Sequence, residues 1–239
     1  MKHSKFIAIM LSFSVLFVSC NMNNTTKGGL IGGGGGAVLG GVIGELIGKN
    51  VGGAAIGAAI GAGLGTGAGI LIGKKMDKVR KAAEEVANAQ VEQVTDANGL
   101  QAVKVTFDSG ILYTTGSATL SSTAKSSLND FAKNVLMPNS TLEVAIQGYT
   151  DNAGFKNCTA AQSAEKNLEL SRKRANSVRT YLCGRGVANS QIARCEGYGE
   201  ENPVAANDTP ENMQKNRRVE IYMYASEEMI QAANNGTLQ

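Results

Sequence analysis

Between Gly28 and Gly73 glycine recurs with a period of four. It stands at Gly32, Gly36, Gly40, Gly44, Gly48 and Gly52, and then, shifted by one, at Gly53, Gly57, Gly61, Gly65, Gly69 and Gly73. Four-residue spacing lines the glycines up in one shallow groove on a helix face, where two backbones approach closely, as in small-xxx-small packing within membranes. In water each such glycine costs a helix about 1 kcal/mol relative to alanine, so the helix needs lipid or a close partner. The register jump beside Lys49-Asn50 predicts a hairpin with arms near 30–48 and 51–73, each long enough for a bilayer core of about 30 Å. The hairpin is expected to embed in the membrane or to associate through its zipper into a homo-oligomer; the rival reading is a Gly-rich linker. A phosphate-binding role fails on context. Gly-x-Gly-x-x-Ala at 63–68 has no strand before it, and Ala68 and Lys75 stand where a Walker pattern needs Gly and Ser or Thr.

Ahead of the ladder, Lys2 and Lys5 precede an apolar run from Phe6 to Val18 that ends in Ser19-Cys20. This predicts an export leader over 1–19, with Cys20 as the lipid-attachment residue of a bacterial lipoprotein, although Phe17 stands where the lipobox usually has Leu. Residues 20–27 then form the acylated N-terminus and a short tether, 28–75 the hairpin and 76–99 an amphipathic stalk. Within that stalk Val79, Ala83, Val86 and Ala87 share a helical face. Asn21 after Cys20 agrees with outer-membrane sorting.

Cleavage removes His3, the one histidine of the chain. Nucleophile machinery built on imidazole and His-containing zinc sites are excluded with it. No metal site, cofactor or catalytic set is expected, and a net charge of +3 gives little support for a nucleic-acid partner. Besides Cys20, three cysteines remain, and an oxidising compartment favours a disulfide. Cys183–Cys195 is the expected pair, because a helix end and the next strand often lie side by side.

From residue 100 onward the hydropathy alternates and turns in a regular order. Strands are predicted at 102–107, 142–147, 192–197 and 218–224, with helices near 121–135 and within 160–182. This β-α-β-α-β-β order implies an α+β domain over 100–225, a mixed sheet with helices on one face, followed by a tail over 226–239.

GYTDNAG at 148–154, NLELSRKRANSV at 167–178, YLCGRGV at 181–187, GYGEENPVAANDT at 197–209 and NRRVEIYM at 216–223 resemble the OmpA-like C-terminal domain. LYTTGSATL at 112–120 is similar to that family's first-strand exit. With the lipobox and the glycine ladder, the chain resembles the glycine-zipper lipoproteins of the outer membrane that carry this domain. The resemblance implies noncovalent binding of peptidoglycan, without cleavage, through the diaminopimelate side chain of the stem peptide. It implies a C-terminal domain in the periplasm and a tether from the outer membrane to the wall. The alternative is an assembly protein of an envelope complex driven by the zipper, with wall binding only for positioning.

The ligand end carries an ammonium and a carboxylate on one carbon. Such a zwitterion asks for a fixed acid and a guanidinium that grips carboxylate bidentately. The family pattern maps the acid to Asp151 and the base to Arg174. It also carries over Thr150, Asn152 and Gly154 beside the acid, Asn167 and Leu170 before the second helix, Gly116 at the strand exit and Arg217. Taken singly, Asp151 reads as a turn acid and Arg174 as one of a solvent-facing charge run. One departure stands out: Gly154 and Asn167 are thirteen residues apart, where the family has about five. The inserted FKNCTAAQSAEK could add a lid, lengthen the helix or let Cys158 staple the loop.

Overall fold

The computed structural model describes residues 67–95, 100–114 and 116–238. The leader, Cys20 and most of the expected hairpin lie outside the described residues. Among the described residues no helix is long and apolar enough to cross a membrane.

Helix α1 (Gly67–Glu84) takes in the end of the second hairpin arm and continues through the Lys74-Lys75 pair, burying Ile72, Met76, Val79 and Ala83 on one stripe. It packs on strands β1 (Ala89–Thr95) and β2 (Gln101–Asp108) and on the C-terminal helix. The expected stalk over 76–99 is therefore corrected: its first part is a docked helix and its second part a strand paired antiparallel with β2 from Ala89↔Phe107 to Thr95↔Gln101. Asn88, at φ +63°, turns the chain between them. A left-handed residue stops a helix, and Asn tolerates that conformation better than most. The β-branched residues of AQVEQVT then fit a pleated surface.

After β2 come a one-turn helix α2 (Ser109–Leu112), helix α3 (Ser122–Phe131), strand β3 (Leu142–Gly148), helix α4 (Ala160–Gly184), strand β4 (Ile192–Gly197), helix α5 (Pro210–Asn216), strand β5 (Arg218–Ala225) and helix α6 (Glu227–Asn234). Ser121 caps α3 by accepting from the Ala124 N–H, and the helix runs into a π turn over Ala132–Leu136 before Pro138. The four predicted strands are present, and β1 makes a fifth. The sheet order is β1-β2-β5-β3-β4, antiparallel except for β3 beside β4.

Alternate residues of the strands, such as Val105 and Phe107 of β2 and Val219, Ile221 and Met223 of β5, meet α1, α3, α4 and α6 in one apolar core. The opposite face carries a smaller cluster of Val94, Ala102, Ala145, Tyr222 and Tyr224. The segment expected as a tail includes α6, whose Met229, Ile230 and Ala233 are buried in that core.

Cys158, Cys183 and Cys195 are free thiols, which corrects the expected Cys183–Cys195 bridge. Cys195 Sγ lies 3.6 Å from Asn176 Oδ1 on α4. Cys183 Sγ instead faces Asn189 Oδ1 at 3.9 Å, so the two thiols are turned to different partners.

Candidate functional site

The site is built at one end of the sheet, where β3 leaves its last hydrogen-bonded residue. Gly148 and Gly197 end the two parallel strands directly beneath α4. A Cβ on Gly148 would lie 2.3 Å from the Ser171 carbonyl oxygen, and one on Gly197 2.2 Å from the Arg172 backbone nitrogen. Two residues without side chains thus let the helix press against the strand ends, and three residues beyond Ser171 the helix presents Arg174. The exit from β3 is held by backbone bonds. Tyr149 N–H donates to the Arg218 carbonyl at 2.9 Å and Thr150 N–H to the Gly199 carbonyl at 2.7 Å.

Asp151 follows and is nearly closed off from solvent. Its Oδ1 accepts the Ala153 N–H at 3.1 Å and its Oδ2 takes Nη1 of Arg217. Arg217 is itself gripped: Gln214 Oε1 accepts from its Nε at 3.2 Å and from its Nη2, and Gln214 Nε2 donates to Asp108 Oδ1. An Asp108–Gln214–Arg217–Asp151 chain therefore spans the ends of β2, β5 and β3.

Arg174 is buried to 4% exposure. Its Nε donates to the Ser117 carbonyl at 3.0 Å, and its guanidinium lies over the Tyr113 ring, 5.0 Å from the centroid. Burial pulls its pKa down; Tyr113 and Asp151 act against that, and Arg217 adds to it. Its two terminal amino groups make no hydrogen bond among the described residues, so they are open to a ligand carboxylate.

A cavity of about 370 Å³ joins these groups. Of the residues singled out from sequence, Gly116, Thr150, Asp151, Gly154, Asn167, Leu170, Arg174 and Arg217 line it. Asn152 does not: it is exposed, carried outward by the turn that lets Asp151 accept from Ala153. Asn167 bridges the rim, its Nδ2 donating to the Ala153 carbonyl at 3.3 Å and Glu200 Oε2 at 3.2 Å. Ser109, Gly110, Tyr113, Phe155 and Gln214 complete much of the wall and were not singled out from sequence. Of these only Tyr113 lies within one of the family motifs, LYTTGSATL. A larger open groove between α3 and α4, lined by Lys125, Lys173, Tyr181 and Arg185, contains none of the expected residues.

Arg218, next to Arg217, has a different role. It is buried, donates to Glu220 Oε1 at 2.7 Å and stacks 3.9 Å from the Tyr149 ring centroid. The inserted segment lengthens α4. Thr159 and Gln162 form a reciprocal capping box at its start, and Cys158 Sγ accepts from Lys166 Nζ at 3.1 Å instead of closing a disulfide.

Residues 112–217 match the model of the OmpA family, and residues 1–77 that of the YMGG-like Gly-zipper. The chain is 49% identical over 78 residues to the peptidoglycan-binding protein ArfA of Mycobacterium tuberculosis, covering 33% of this chain and 21% of that one. It is 39% identical over 117 residues to the probable lipoprotein YiaD of Escherichia coli, covering 49% and 46%. The chain thus spans less than half the length of either relative. A putative MotB-like protein from Desulfovibrio vulgaris shares the fold, with a TM-score of 0.54 at 22% identity over 64% of this chain and 93% of that structure.

Proposed function

With residues 112–217 forming an OmpA-family domain, we propose that this chain binds peptidoglycan noncovalently and tethers the outer membrane to it. The observation that carries the reading is the meeting of Asp151 and Arg174 in one cavity, the acid buried and the guanidinium held by Ser117 and Tyr113 with both terminal amino groups uncommitted among the described residues. An ammonium and a carboxylate on one carbon are what such a pair takes, and the distal end of diaminopimelate in a stem peptide presents both. Arg217 adds a second guanidinium at the same place, while Asp151 keeps further lone pairs for the ligand ammonium. The names of the relatives, binding and lipoprotein names and not those of enzymes, support the same class of function.

The membrane end of the tether is acylated Cys20, more than one acyl chain being needed for stable anchoring. The glycine ladder adds a zipper hairpin that holds to the bilayer or to a second copy. The domain then works in the periplasm, lipid-anchored to the outer membrane.

Pulldown with purified peptidoglycan tests the pocket: Asp151→Ala and Arg174→Ala each lose most binding. Retention of both variants at the parent level rejects the assignment. Fractionation of Cys20→Ala tests the anchor: release from the membrane supports lipid as the main tether, whereas full retention assigns that role to the zipper segment.

A further inference from the structure

The groove between α3 and α4, about 770 Å³ in volume, is lined by three cations, Lys125, Lys173 and Arg185, and by no acid. All three are exposed, so a ligand meets them without rearrangement. Lys173 is answered by Glu169 at 2.6 Å. Lys125 Nζ makes no hydrogen bond or ion pair among the described residues. Arg185 gives its Nε to a neutral acceptor, Asn129 Oδ1 at 2.9 Å, and its guanidinium lies 6.0 Å from the Tyr181 ring centroid. A groove lined by one sign of charge concentrates ligands of the other sign.

Exposed lysines are ordinary; what sets these apart is where the groove begins. Gly116 lines the Asp151–Arg174 cavity and Ala118 and Thr119 line the groove, with Ser117 between them accepting from Arg174 Nε at 3.0 Å. On α4 the same partition falls within one turn. Arg174 lines the cavity, Lys173 and Ser177 line the groove, and Ser177 Oγ donates to the Arg174 carbonyl at 2.8 Å. The Tyr181 hydroxyl donates to the Lys125 carbonyl at 2.9 Å. Tyr181 follows Arg174 by seven residues, so this bond ties Lys125 to a level within roughly 10 Å of Arg174 along the helix axis. A chain that leaves the cavity along α4 covers that distance in about three extended residues.

A stem peptide carries an anion at that remove. The residue before diaminopimelate is a glutamate joined through its γ-carboxyl, which leaves its α-carboxylate free, and the diaminopimelate side chain with the γ-glutamyl link spans about the length of three residues. We propose that the groove between α3 and α4 is a second subsite of the wall-binding site, in which Lys125 takes the free carboxylate of the stem-peptide glutamate and Arg185 adds to the attracting field. The proposal rests on the stem-peptide reading above. Both partners stay in contact with water, so the pair is worth no more than an exposed ion pair. It therefore sets a preference for the free acid over the amidated peptide and leaves the grip on the zwitterionic head to Asp151 and Arg174.

Titration calorimetry of the full chain at low salt, with two diaminopimelate-containing stem tetrapeptides that differ only in whether the glutamate carboxylate is free or amidated, tests it. The parent binds the free acid roughly three- to five-fold more tightly. Lys125→Gln brings the two affinities together, and Lys125→Glu reverses their order. Lys133→Glu, the same change of charge at an exposed lysine outside the groove, keeps the parent's preference. Equal affinities in the parent, a preference that survives Lys125→Glu, or its equal loss in Lys133→Glu overturns the subsite while leaving the clamp in place. Asp151→Ala keeps the two readings apart, since it abolishes binding of both peptides if the clamp exists. A parent that binds neither peptide removes the stem-peptide reading, and the groove subsite with it.

Discussion

Tyr113 and Arg174 hold each other: the Tyr113 hydroxyl donates to the Arg174 carbonyl at 2.7 Å, while the Arg174 guanidinium lies 5.0 Å from the centre of the Tyr113 ring. One residue fixes both the backbone and the charged end of the other, and Ser177 Oγ, 3.4 Å from the same hydroxyl, braces the contact. Tyr113→Phe removes the hydrogen bond and keeps the ring. It should lower stability by about 1 kcal/mol in chemical denaturation and leave peptidoglycan binding largely intact. Tyr113→Ala removes the platform as well, lowering stability by about 3–5 kcal/mol and binding along with it.

Gly148→Ala is expected to be far worse than its size implies. The new methyl would sit 2.3 Å from the Ser171 carbonyl oxygen, in backbone, where no side chain can swing away. Helix α4 must lift from β3, moving Arg174 relative to Asp151. Denaturation should show a loss in the upper part of the usual range for overpacking, about 3 kcal/mol or more, and pulldown should show weakened wall binding in whatever protein remains folded.

The buried pair Arg218–Glu220, with both side chains 5% exposed, invites a two-step test. Arg218→Met leaves Glu220 facing neutral tyrosine hydroxyls, Tyr222 and Tyr149, an uncompensated charge worth about 3–5 kcal/mol of lost stability. Adding Glu220→Gln neutralises that charge, so the double variant should be more stable than Arg218→Met alone. A double variant no more stable than the single one would show that the stranded Glu220 charge is not what Arg218→Met loses.

Burial pushes the Cys195 thiol from the ordinary 9.0 up to about 11. Only the thiolate is nucleophilic, so at pH 8 alkylation of Cys195 by iodoacetamide should run roughly 100-fold slower than that of an unperturbed thiol, read by mass spectrometry of the peptide. The sign for stability follows: a raised thiol pKa favours the folded state below about pH 9, and that contribution is lost as the pH rises toward about 11. A Cys195→Ser variant should show a flatter decline of stability across that window.

What could be read in the sequence was what depends on local pattern. Alternation in VKVTF and RVEIYMY gave β2 and β5 to within a residue or two, and Pro138 and the Gly184/Gly186 pair marked helix ends. Asp151 and Arg174 were recognisable because each sits in a motif of its own. The strand β1 was not, since Val79, Ala83, Val86 and Ala87 continue a helical face, and the partner that makes 89–95 a strand lies beyond a turn. Gln214 and Ser109 were hidden for a related reason. Gln214 meets Asp108 across 106 residues of chain, and no spacing within a helix foretells that contact. Ser109 comes to the cavity wall through its N–H, which donates to the Arg217 carbonyl 108 residues away in the chain.

Helix α1 enters the domain straight from the glycine-rich segment and is docked through Ile72, Met76, Val79 and Ala83, with β1 sewn to β2 immediately after. A pull applied near Gly67 therefore meets packed side chains and a ladder of interstrand bonds before any slack can be taken up. From Gly67 to Thr95 such a load would pass through packed helix and paired strand into the sheet that carries Asp151, with no slack segment within those residues to absorb it.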